Sequence, residues 1–170
     1  LVLQCEVPME ANKRAAEIAN KNDTLVILNP APACEIPDAI LSLMDLLTPN
    51  ETETEILTGM PTHSNEQAIE AAHNLLSKGI EKVILTLGSR GSFLLTEKMD
   101  KLIPAYSVNV IDTTAAGDAY CGALAASLAQ DTHIEEAVKI ANAAGALAVT
   151  KLGAEPSLPT KKTIDQLLVK

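Results

Sequence analysis

The stretch Val110–Gly122, VIDTTAAGDAYCG, decides how this chain is read. Val110 and Ile111 read as the end of an apolar strand. An acid, two threonines and a run of small residues follow, then a second acid, Asp118. From there an Ala-rich segment with helical spacing runs to about Gln130. A helix start exposes backbone N–H groups that no preceding turn satisfies, and the helix dipole makes that end positive. Ala115, Ala116 and Gly117 are small enough for an anionic group to approach those amides, so the turn reads as a cradle for phosphate. A carboxylate beside a bound phosphate is repelled by it and needs a task there. Accepting the proton of a hydroxyl that attacks the phosphorus is one such task. The residues alone leave a second reading open, in which Asp118 only favours the helix start as first-turn acids do.

Outward from this turn, strand-length apolar stretches alternate with helical patterns, the mark of a mainly parallel sheet with helices on its faces. Leu1–Cys5 reads as the first strand. Pro8 opens a helix with Ala11, Ala15, Ile18 and Ala19 inward, ending near Asn22. Thr24–Leu28 is a second strand, stopped by the prolines of NPAPA. A short helix at Pro37–Leu43 leads to a brief strand at Asp45–Leu47. TPNETETEILTG caps and begins a helix that stops at Gly59, and Ser64–Lys78 is amphipathic, with Ala68, Ala72, Leu75 and Leu76 inward. Lys82–Leu87 is a strand, LGSRG a turn, Gly91–Thr96 the return strand of a hairpin, and Leu102–Val110 further strand. The last third is helical: Ala115–Ala129, Ile134–Lys151 and a short helix from about Lys161. No repeat or linker interrupts this order, so residues 1–170 read as a single domain.

The chain has 170 residues, 47% of them apolar, enough for one good core. Its net charge of −9 and its lack of Trp argue against a nucleic-acid surface. No apolar run is long enough to span a bilayer. Cys5, Cys34 and Cys121 lack metal-type spacing and read as reduced thiols of a cytoplasmic protein. His63, His73 and His133 do not cluster as ligands. The first residue, Leu1, already belongs to a strand-like run, which suggests a start inside a larger fold; a processed N-terminus is the alternative.

NPAPA (29–33), TPNETE (48–53), TLGSRG (86–91), DTTAAGDAYCGAL (112–124) and AVTKLGAEPSLP (148–159) carry a resemblance. In this order and spacing they are similar to the phosphofructokinase-B-type carbohydrate kinases, and within them to the ribokinases. The resemblance covers essentially the whole chain but only the C-terminal half of such a kinase. It implies a ribokinase-like three-layer α/β/α sandwich with a mainly parallel sheet, the N-terminal half and most of the β lid being absent. It also implies transfer of the ATP γ-phosphate to the 5-hydroxyl of D-ribose. Another sugar or nucleoside as acceptor, or a non-catalytic nucleotide-binding fragment, are the alternatives. Because the lid often dimerises, the full-length protein is expected to be a homodimer.

The resemblance also assigns residues. Asp118 would be the base, facing the sugar, and the backbone of Ala115, Ala116, Gly117 and Asp118 the anion hole. Tyr120 stands where the family commonly has Phe, a departure that packing is expected to tolerate. Asn50, with Gly117, Asp118 and the turn Thr86, Leu87, Gly88, Ser89, Arg90 and Gly91, would line the ATP site, together with Asn142 on the penultimate helix. Glu53 would handle Mg²⁺ through water, because N-x-x-E spacing lets Asn50 and Glu53 face one point. Taken by themselves, Asn50 and Glu53 read equally as an N-cap and its capping-box partner. Asp112, Thr114, Ala148, Lys151, Gly153 and Ser157 would hold K⁺, although Asp112 alone reads as a turn-forming Asx residue. Glu6 would contact ribose hydroxyls.

Overall fold

The computed structural model describes residues 1–169. Where the sequence reads as one uninterrupted domain, the chain forms two compact units. One is Leu1–Leu87 with Phe93–Leu102; the other is Gly88–Ser92 with the chain from Ile103 onward.

The first unit is built on parallel pairing. β1 (Val2–Gln4), β2 (Ile27–Asn29), β3 (Leu46–Leu47) and β4 (Lys82–Thr86) lie side by side in chain order. Leu3 pairs with Leu28, Leu28 with Leu47, and Leu47 with Val83. Such strands are covered on both sides and so are nearly continuous in Leu, Ile and Val; Leu28, Leu46, Leu47, Ile84 and Leu85 are fully buried. β5 (Ser92–Thr96) lies next to β4, and β6 (Met99–Ile103) next to β5. The connection from Thr86 to Ser92 is far too short for a parallel crossover, so β5 returns antiparallel.

The connecting helices are α1 (Met9–Asn20), α2 (Asp38–Leu41), α3 (Glu51–Thr58) and α4 (Asn65–Ser77). α4 starts on a Ser64–Gln67 capping box and buries Ala68, Ala71, Ala72 and Leu75, with Leu76 only partly covered. The reading of α1 needs correcting. Its inward face is Asn12, Ala16 and Ala19, whereas Ile18 is 48% exposed. Asn12 lies inside because its Nδ2 donates to the Gln4 carbonyl at 2.7 Å, a bond that apolar periodicity does not register. The strand expected over Leu102–Val110 is also displaced. β6 ends at Ile103, before Pro104, which has no N–H to give a ladder.

The second unit consists of α5 (Ala116–Leu128), α6 (Ile134–Ala148) and α7 (Lys161–Leu168), together with the segments that lead into them. Its cluster, Ala119, Ala143, Ala144, Ala148 and Ile164, is mostly methyl groups, which let the helices approach closely. No helix among the described residues is long and apolar enough to cross a membrane.

Candidate active site

α5 differs from the other helices in the backbone of its N-cap, although α1, α2 and α6 likewise lack a side-chain cap. α3, α4 and α7 are capped by the side chains of Asn50, Ser64 and Thr160. The N-cap of α5 is Ala115, which has no side-chain acceptor and stands in the left-handed region at φ 59°, ψ 11°. A left-handed residue ahead of a helix turns successive amides toward one side, the geometry of an anion nest. The Ala116 N–H is weakly bonded to the Thr113 carbonyl at 3.3 Å. Among the described residues, the amides of Gly117 and Asp118 have no protein acceptor. The Ala115 N–H likewise has no protein acceptor, so three of the four expected amides are available and only that of Ala116 is weakly engaged.

Asp118 is exposed in that first turn, with no hydrogen-bond or ion-pair partner among the described residues. It stands at one end of a cleft of about 340 Å³ that runs along α5 past Gly122 and Ala126 to Lys161 and Asp165 of α7. A carboxylate in water beside unpaired amides can accept a proton.

Behind the turn, Asp112 forms a knot. Its Oδ1 accepts from the Thr114 N–H at 3.0 Å and hydroxyl at 2.7 Å, and its Oδ2 accepts from the Gly153 N–H at 2.9 Å. The Gly153 and Thr114 amides and the Thr114 hydroxyl hold its carboxyl below the usual aspartate range, so it stays ionised. The N–H groups of Ile111 and Asp112 both reach the Val149 carbonyl, at 2.7 and 3.2 Å, at the end of α6. Ser157, fully buried nearby in sequence, donates to the Ala154 carbonyl at 2.6 Å. Ala148 accepts from the Lys151 N–H. A carboxylate with neutral oxygens suits a large monovalent cation in donor type, so the residues fit K⁺ in kind, although both Asp112 oxygens already accept hydrogen bonds.

In the first unit, Asn50 is brought beside Thr86 by a parallel bridge, and the Thr86 N–H donates to the Pro49 carbonyl at 2.9 Å. Glu53 is 5% exposed, and its oxygens accept from the Asn50 N–H at 2.8 Å and the Asn50 Nδ2 at 2.9 Å. Asn50 Oδ1 in turn accepts from the Glu53 N–H at 2.9 Å. The structure thus realises the capping-box alternative. Burial lifts Glu53 above the usual glutamate range, against the Asn50 amide bond that lowers it. A buried carboxyl with both oxygens engaged is poorly placed for direct Mg²⁺ ligation, and the expected contact through water is a proposal. Among the described residues no group of three His, Cys, Asp or Glu is placed to hold a metal. Glu6 is exposed just after β1.

Gly88–Arg90 form a single 3₁₀ turn with Gly88 and Ser89 exposed, whereas Leu87 is 2% exposed and packs in the core. Gly91, at φ 99°, could carry no side chain: a Cβ there would overlap the Ile103 carbonyl and lie 2.7 Å from the Ala105 nitrogen. Asn142 departs most from expectation. It is 7% exposed, its Oδ1 accepts from the Ser92 hydroxyl at 2.7 Å, and its Nδ2 donates to the Ile103 and Pro104 carbonyls at 3.1 and 3.3 Å. Its side chain is spent inside the protein instead of facing a ligand or solvent. Ser92 and the hydroxyl of Tyr120 complete this network; the sequence singles out Tyr120 only as a replacement for Phe and gives Ser92 no role. Their one visible signal is a hydroxyl standing in an otherwise apolar run. The cysteines are free, and burial together with neighbouring Cys34 pushes the Cys5 thiol up to about 12, leaving it a poor nucleophile.

The sequence pattern of the pfkB family carbohydrate kinases matches residues 2–161. The chain is 44% identical over 162 residues to a ribokinase of Haemophilus influenzae, spanning 95% of this chain and 53% of that protein. It is 38% identical over 169 residues to a deoxyribokinase of Salmonella typhi, spanning 99% of this chain and 55% of that protein. The structure of Arabidopsis thaliana ribokinase complexed with ribose and ATP superposes with a TM-score of 0.94 at 36% identity, covering 98% of this chain and 55% of that one. The fold is ribokinase-like α/β, and the chain spans about half the length of the curated relatives it matches.

Proposed function

This chain belongs to the pfkB family of carbohydrate kinases, and from that premise we propose that it carries the proton-accepting and phosphoryl-gripping part of an ATP-dependent ribokinase. The observation that carries the proposal is the exposed, unpaired Asp118 carboxylate in the same helical turn as the free amides of Gly117 and Asp118. ATP would be positioned with its γ-phosphate over those amides. Asp118 takes the proton of the ribose 5-hydroxyl as that oxygen attacks the phosphorus. The amides hold the charge that spreads over the phosphoryl oxygens, and ADP leaves on the opposite side. Positioning and electrostatics of this kind supply most of what phosphoryl transfer requires.

Within the second unit the turn Gly88–Gly91, with Gly88 and Ser89 exposed, is the candidate nucleotide contact; within the first, Asn50 beside Thr86 is a candidate nucleotide contact and Glu6 a candidate sugar contact. Asp112, Thr114, Ala148, Lys151, Gly153 and Ser157 would hold K⁺, which supplies fixed positive charge when bound. Similarity to a deoxyribokinase supports a second acceptor, a 2-deoxypentose, by the same chemistry.

The test is ribose phosphorylation by the natural full-length product and its Asp118→Asn variant, with ADP titration as a control for binding. The expected result is a fall in turnover of about 10²–10⁴ with ADP affinity kept. Unchanged turnover overturns the role of Asp118.

A further inference from the structure

Five groups in the second unit form one directional chain of hydrogen bonds. The Tyr120 hydroxyl donates to Ser92 Oγ at 3.0 Å, and the Ser92 hydroxyl donates to Asn142 Oδ1 at 2.7 Å. The Asn142 amide then donates to the Ile103 and Pro104 carbonyls. Ser92, Tyr120 and Asn142 are 0%, 5% and 7% exposed, and no buried side-chain polar atom among the described residues lacks a partner. Each donor is used in the only sense the chain permits. Tyr120 must give its proton to Ser92, because the Ser92 proton is committed to Asn142. The Asn142 amide is fixed in orientation by the two carbonyls it serves. Burial raises the Tyr120 pKa well beyond its ordinary value, keeping the phenol a donor.

The ends of this chain matter. Ser92 directly follows the Gly88–Gly91 turn, and Gly91 packs against Ile103–Ala105, the strap that Asn142 holds. Tyr120 lies one helical turn beyond Ala116. On α6, Gly145 lies under both: a Cβ there would stand 3.4 Å from the Ala116 carbonyl and 3.9 Å from Tyr120 Cβ. The hydroxyl that distinguishes Tyr120 from a phenylalanine is therefore engaged, where packing alone was expected.

We propose that Tyr120, Ser92 and Asn142 are positioning residues that lock the Gly88–Gly91 turn and the first turn of α5 into one rigid element. The mechanical coupling stands on the hydrogen bonds alone. Its use, holding nucleotide and phosphoryl contacts in fixed relation, rests on the function proposed above.

The experiment uses the chain itself, without ligand and then with ADP, and follows amide exchange at two reporters. The Gly91 N–H, bonded to the Gly88 carbonyl, reports the turn, and the Ala119 N–H, bonded to the Ala115 carbonyl, reports α5. Ser92→Ala cuts both links and should speed exchange at both reporters roughly 5–30-fold. Tyr120→Phe cuts only the α5 link and should speed Ala119 while leaving Gly91 as in the parent, an asymmetry that general loss of stability cannot produce. Should Ser92→Ala fail to fold, Tyr120→Phe alone decides. Both reporters moving together in that variant, in step with every core amide, or neither moving, overturns the coupling. ADP affinity should weaken in step with Ala119 exchange. A parent chain that shows the asymmetry in its variants but binds no ADP keeps the coupling and overturns the nucleotide reading.

Discussion

Asn50 and Glu53 bond to each other: three hydrogen bonds of 2.8–2.9 Å close the start of α3 between an exposed Asn50 and a buried Glu53. A capping box of this completeness binds its members as a unit. Asn50→Ala should cost about 1–2 kcal/mol in urea unfolding. Glu53→Ala should cost a similar amount, and the double variant clearly less than the sum, because each single change already breaks the shared bonds. Additive losses would show that the two residues act separately.

Asp112 gives a pH signature. Its carboxyl is depressed by the Gly153 and Thr114 donors, so the knot stabilises the fold fully above the ordinary aspartate value and loses that contribution as pH falls through the lowered one. Protection of the Gly153 amide, its exchange rate taken relative to that of an unstructured amide at the same pH, should fall across that acidic window. In Asp112→Asn the Gly153 N–H loses its carboxylate partner, and its protection should be low and independent of pH over the same range.

Ala115 sits at φ 59°, a region in which an L-residue with a Cβ is strained by about 1–2 kcal/mol. Ala115→Gly relieves that strain at some cost in unfolded-chain entropy, and should raise stability by up to about 1 kcal/mol. Ala115→Val should lower it. A thermal melt of the two variants side by side settles the order, and destabilisation by glycine would contradict the observed turn.

Most elements were legible in the sequence because their signals are local. The αL stop at Gly59, the Ser64 cap and the apolar run of β4 each announce themselves within a few residues. What escaped depends on specific partners in other elements. Asn12 is inside because of Gln4, and Asn142 because of Ser92, 50 positions away. The Asn50–Glu53 pair shows a different gap: its spacing was plain, but one i,i+3 arrangement serves a cap and a metal equally, and only side-chain direction separates them. The exposure of Asp118 at the start of α5 fits a proton acceptor and a helix-start acid alike, and the number of free amides there can be counted only from coordinates.

The knot at Asp112 and Gly153 joins positions 41 apart at 2.9 Å, so the α5–α6 hairpin is a loop closed at its root. Its far end, Gln130–Thr132, is a tight corner with Asp131 at φ 56°. Length added at that corner, a tag or a dye-bearing insert, would extend outward as a branch while the root kept its registration. The tip of this hairpin is the natural place to attach a reporter to the protein.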